Sequence, residues 1–159
     1  MVGTNCYVVS HSVTKEAFVV DMAGASERLL EYIAEEGLKM KALLLTHGHF
    51  DHIMGIDDVL NKYGKMPVYV HEADKPMLEG PQQNMTMSCG FPYAYKGAQA
   101  VQDGQVLSLI GYEIKVLHTP GTYTGRMLLL YCIGTCADQW RYAVPAVYRK
   151  NGFSWRKHE

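Results

Sequence analysis

The chain has 159 residues, 48% of them hydrophobic and 19% charged, which describes one globular domain with a real core and excludes wholesale disorder. Fifteen Lys and Arg face sixteen Asp and Glu, a net charge of -1 that argues against a polyanion-binding surface and so against nucleic acid as a partner. No apolar run approaches the roughly 18 residues needed to cross a bilayer, and the N-terminus lacks a basic segment followed by an apolar one. A cytoplasmic protein that meets no membrane is the expectation. Four cysteines in a chain of this length, without an export signal, read as reduced thiols.

NCYVVS (Asn5 to Ser10) and EAFVVD (Glu16 to Asp21) are short β-branched runs joined by HSVTK, the pattern of a β-hairpin. Ser26 is placed to cap a helix over Glu27 to Glu36, whose apolar face is Leu29, Leu30, Ile33 and Ala34. MKALLLT (Met40 to Thr46) is nearly continuous and predicts a strand buried on both faces. A helix follows over Ile56 to Tyr63, then a strand at Pro67 to Val70, then a short helix from His71 to Leu78. Gly80 to Gly97 has no period. Its Met and aromatic side chains suit either a substrate entrance or packing on the domain itself. Gln105 to Gly111 and Tyr112 to His118 alternate as a second hairpin. Interleaved strands and helices make this an α/β chain with helices on sheet faces.

The chemistry concentrates in Thr46-His47-Gly48-His49-Phe50-Asp51-His52, directly after the buried strand. α/β proteins place ligands at that end of a strand. His47 and His49 point the same way on an extended backbone, and Gly48 permits a tight turn between them. Asp51 and His52 begin the next element and can face a second position. Imidazole with carboxylate suits Zn²⁺, and also Fe²⁺ or Mn²⁺. His118, at the end of a strand and before Thr119-Pro120-Gly121, can complete a three-histidine set with His47 and His49.

These residues resemble the metallo-β-lactamase fold family of metallo-hydrolases, and most closely its glyoxalase II-like branch. The family pattern H-x-H-x-D-H is met at His47, His49, Asp51 and His52. TNCYVV, the strand ending in Asp21, PVYVHEAD and HTPG follow that branch in the same order. The resemblance implies an αββα sandwich, incomplete here at both ends. It implies one metal held by His47, His49 and His118, and a second held with Asp51 and His52. Zinc, one or two ions, is the expected metal, with iron or manganese as the alternatives. The implied reaction is hydrolysis of a thioester or related acyl compound by a metal-bound hydroxide, with Asp51 as the catalytic residue that orients it. The substrate is then a small molecule. Two other readings go with the fold: a mononuclear iron persulfide dioxygenase-like oxidoreductase, and a non-catalytic metal-binding remnant.

The resemblance covers about Gly3 to Gly121 and stops there, giving a domain at residues 1–121 that is the N-terminal part of the family fold; residues 122–159 form an atypical tail. The family continues with G-H-T-P-G and a later S-G-D-T that carries the bridging aspartate. In a neighbouring frame, allowed codons yield G-H-T-P-G-G from Gly121 and I-S-G-D-T-L-F over Asp138 to Val144. One extra base near codon 121 would produce that pattern. In the chain as written, Asp138 is a weak substitute for the bridging ligand, and Cys132, Cys136 and His158 belong to an unpatterned tail. The sheet edge left by missing strands predicts poor solubility or dimerisation.

Overall fold

The computed structural model describes residues 4–24 and 27–119, with the backbone of two further strands at 127–132 and 143–144. Two sheets are present. The first joins β1 (Tyr7–Ser10), β2 (Glu16–Val20), β3 (Lys39–Leu44), β4 (Val68–His71) and β5 (Gln99–Val101) in that order. β1 pairs antiparallel with β2, and β2 to β5 run parallel. The second joins β6 (Val106–Leu109), β7 (Tyr112–His118), β8 (Met127–Cys132) and β9 (Ala143–Val144), all antiparallel.

The period-two alternation of the strands divides the core in two. Ala17 and Val19 of β2, with Leu43 of β3, pack among Leu29 and Ile33 of α1 (Glu27–Glu35) and Ile56 and Val59 of α3 (Ile56–Tyr63). The intervening Phe18 and Val20, with Ala42 and Leu44, face the other way. They meet Leu107, Ile114 and Val116 of the second sheet. β3 is buried on both faces only over Ala42–Leu44, where the run carries no polar residue; its first half stays at the surface, with Lys41 exposed and its Nζ 3.0 Å from Glu16 Oε1. Sheet against sheet, with helices outside the first, is the described part of the expected αββα layering.

Several boundaries differ from expectation. Pro67 lies outside β4, and its carbonyl accepts from Leu43 N at 2.9 Å. The expected helix from His71 to Leu78 splits into a 3-10 turn at Glu72–Asp74 and α4 (Lys75–Glu79), with Pro76 in the first turn of α4. Phe50–Ile53 forms a one-turn helix, α2, inside the histidine-rich segment. β5, after the long loop, was not anticipated from the sequence. Ser26 and most of the tail lie outside the described residues, as do Asp138, Cys136 and His158. Among the described residues, no helix is long and apolar enough to cross a membrane.

Candidate metal centre

β2 and β3 run side by side, and both end at the site. Asp21 follows β2 in the left-handed region, at φ 59°, a conformation that aspartate tolerates better than most side chains. Its amide donates to Leu44 O at 2.9 Å, so the turn is pinned to the end of β3. The Asp21 carboxylate is wholly buried. Oδ1 accepts from Thr46 N at 2.8 Å, and Oδ2 accepts from Thr46 Oγ1 at 2.7 Å and from His52 Nδ1 at 2.9 Å.

These bonds set the histidine tautomers. A carboxylate only accepts, so His52 carries its proton on Nδ1 and keeps the lone pair on Nε2. Thr46 spends its single hydroxyl proton on Asp21. It therefore accepts from His47 Nδ1, 3.1 Å away, which leaves the His47 lone pair on Nε2 as well. Carboxylate–histidine pairs of this kind orient imidazoles that bind metals.

The imidazoles crowd together. The ring centroids of His47 and His52 are 3.9 Å apart, and those of His47 and His49 are 5.0 Å apart, edge to face. Asp51 Oδ2 stands 3.6 Å from His52 Nε2 and accepts a short hydrogen bond from Thr4 Oγ1. Metal–ligand bonds of about 2.0–2.2 Å give adjacent donors a separation of this order, so one ion can span this pair. Burial holds His49 below its ordinary pKa, with His52 acting in the same direction and the Asp51 and Asp74 carboxylates opposing. A neutral imidazole is the metal-binding form.

His118 ends β7 on the second sheet. Its amide donates to Asp103 Oδ1 at 2.8 Å, and its ring stacks on His71. Among the described residues, no three His, Cys, Asp or Glu side chains converge as a ready-made metal set. The structure thus gathers His47, His49, Asp51 and His52 in one cluster, and places His118 in a ring pair with His71. The donor chemistry and the fixed tautomers fit a divalent cation.

The long loop packs back on the domain. Asn84 and Thr86 are wholly buried, Thr86 Oγ1 donates to Asn84 Oδ1 at 2.7 Å, and Tyr93 N donates to Thr86 Oγ1 at 2.9 Å. Asn84 O accepts from Phe50 N at 2.9 Å, tying the loop to the start of α2. Met85, Met87 and Phe91 remain exposed on its outer side.

Sequence reasoning passed over Thr4, Asp21, Thr46, His71 and Asp74 as parts of the site. A signal existed for Asp21: an acidic residue closing an apolar strand is an unusual place for a charge unless something buried needs it.

Comparison with known proteins places the fold in a family. The sequence profile of the Metallo-beta-lactamase superfamily matches residues 1–135. The chain is 35% identical over 112 residues to the probable metallo-hydrolase YqgX of Bacillus subtilis, a match covering 69% of this chain and 53% of that one. It is 33% identical over 115 residues to the hydroxyacylglutathione hydrolase GloC of Haemophilus influenzae, covering 71% and 54%. Among solved structures, the B3 metallo-beta-lactamase BLEG-1 superposes with a TM-score of 0.71 at 34% identity, over 80% of this chain and 62% of that one. A protein crystallised in a di-iron-bound form gives 0.64 at 28% identity, over 79% and 61%.

A layered α/β fold with a histidine–aspartate cluster at the strand ends defines a metallo-hydrolase class. The chain belongs to the metallo-beta-lactamase superfamily. It spans about half to two thirds of the length of the relatives it matches.

Proposed function

We propose that this chain carries the metal-binding half of a glyoxalase II-like hydrolase that cleaves a thioester or related activated acyl compound. The observation that carries the reading is the Asp21 clamp. It fixes His52 through Nδ1 and, through Thr46, His47 through Nδ1, so that both rings carry their lone pair on Nε2, with His52 Nε2 facing Asp51 Oδ2 at 3.6 Å. A hydroxyacylglutathione hydrolase among the relatives supports the thioester class, as does an atrochrysone carboxyl ACP thioesterase at 28% identity.

In this reading His47, His49 and His118 would hold one ion, with Asp51 and His52 at a second. A bound divalent ion would acidify water and polarise a carbonyl. The chain's own residues supply the rest. The Asp51 carboxylate, held at Oδ2 by the Thr4 hydroxyl, would orient the attacking water. Asp21 and Thr46 keep two imidazoles in one tautomer, which lessens the reorganisation that ion binding asks of those two rings. Zinc is the proposed metal; iron remains in view because one structural neighbour is a di-iron form.

The test is direct. The purified chain is loaded separately with Zn²⁺, Fe²⁺ and Mn²⁺, and thiol release is followed from S-lactoylglutathione and from a short acyl-coenzyme A. Zinc-dependent thiol release that disappears in Asp51→Ala supports the hydrolase. Stoichiometric metal binding with no turnover of any thioester identifies a metal-binding remnant. Oxygen consumption with a persulfide, seen with iron alone, identifies the oxidoreductase.

A further inference from the structure

β4 ends in His71, and the 3-10 turn at Glu72–Asp74 follows it. His71 is only 4% exposed. Its Nδ1 accepts from Ala73 N at 3.3 Å, so the ring proton sits on Nε2 and the Nδ1 lone pair is already used. His71 is therefore a poor ligand. What it offers is a ring face. That face lies against His118, with centroids 4.2 Å apart and planes within 8° of parallel.

Three residues on, the same turn reaches the other side of the cluster. Asp74 is wholly buried, and its Oδ2 accepts from Gly48 N at 2.9 Å, between His47 and His49. Gly48 is seated so closely that an added Cβ would meet Leu78 N at 2.9 Å and Asp74 O at 3.3 Å. Glu72 Oε2 accepts from Gln102 Nε2 at 2.8 Å, beside the Asp103 that holds the His118 amide. One short turn thus contacts the H-x-H backbone of the first sheet and the strand-end histidine of the second.

We propose that the His71–Asp74 turn is a bracket that positions the metal ligands: His71 sets the ring plane of His118, and Asp74 fixes the backbone between His47 and His49. The proposal rests on the reading of these three histidines as ligands. Neither His71 nor Asp74 touches the ion; both are positioning residues that act through the groups they hold. The site needs such a part because its ligands come from separate sheets, and each would otherwise carry its own side-chain freedom into binding.

The experiment uses the full chain. Zinc affinity is measured by competition with a chromophoric chelator, and ligand geometry by the visible spectrum of the Co²⁺ form. His71→Phe keeps a flat ring on His118; His71→Leu keeps the volume without it. His71→Leu and Asp74→Ala weaken zinc binding about ten-fold or more and alter the cobalt spectrum, as loss of an outer partner does. His71→Phe restores most of the affinity and the original spectrum. Unchanged affinity and an unchanged spectrum in His71→Leu and Asp74→Ala overturn the bracket while leaving the metal centre standing. Failure of the unsubstituted chain to bind zinc overturns the metal reading itself, and the bracket with it.

Discussion

His52 Nδ1 lies 2.9 Å from Asp21 Oδ2, and the opposite nitrogen, Nε2, faces Asp51 Oδ2 at 3.6 Å. One buried carboxylate therefore decides which end of the imidazole is presented to the site. Asp21 does this from the turn that follows β2, and it holds Thr46 by two further bonds. Asp21→Ala leaves Thr46 N and His52 Nδ1 without their acceptor. Each buried group orphaned in this way costs about 1–3 kcal/mol. The expected outcome is a lower urea midpoint together with weaker zinc binding, measured on the same preparation. Zinc affinity equal to that of the unsubstituted chain would show that the clamp does not act on the ligands.

Gly48 has no room for a side chain. The nearest obstacles, Leu78 N and Asp74 O, are backbone and cannot swing aside. Gly48→Ala is expected to cost about 1–3 kcal/mol in urea unfolding, as overpacking does. It also pushes His47 and His49 off their positions, so zinc affinity falls with stability.

Among the described residues, Phe18 is the largest fully buried side chain of the inter-sheet core, 1% exposed. Phe18→Ala opens a cavity between the layers, with an expected loss of about 3–5 kcal/mol. Calorimetry or urea unfolding checks it. A loss below about 1 kcal/mol would mean that the two sheets do not pack as described.

Cys6 and Cys89 differ in reactivity for a physical reason. Burial, with the Asp21 carboxylate adding to it, pushes the Cys6 thiol up to about 12, while Cys89 is exposed. At neutral pH, alkylation followed by peptide mapping should label Cys89 and spare Cys6. The folded pKa of Cys6 stands above its unfolded value, so the folded state holds this proton more tightly. The contribution to stability is complete below the ordinary thiol pKa and is lost as pH rises from there toward 12. Unfolding at pH 8 and at pH 10.5 should therefore show a loss of stability that is smaller in Cys6→Ala. An equal loss in both proteins would assign the slope to other groups.

Much of the fold was legible in residue pattern. The EAFVVD and MKALLLT runs became β2 and β3 because their central residues, Ala17–Val20 and Ala42–Leu44, are buried on both faces, where apolar side chains are needed. Ile56 to Tyr63 formed its helix within the expected bounds. β5 escaped because Gln99–Val101 is three residues long and, among the described residues, pairs with β4, a partner distant in sequence. The turn after β4 broke the expected helix because Lys75-Pro76 favours a fresh helix start over continuation.

The sequence alone determined which candidate donors stand together. H-x-H-x-D-H places His47, His49, Asp51 and His52 within one short segment, where local geometry decides what can face what. Only the tertiary structure decided how those donors are held. Asp21 reaches Thr46 and His52 because β2 and β3 lie side by side in parallel, and His71 reaches His118 because two sheets meet face to face. Side-chain periodicity reports which face of a strand is buried. It carries no record of which distant strand end arrives beside it, and the bonds that orient this site are made across such distances.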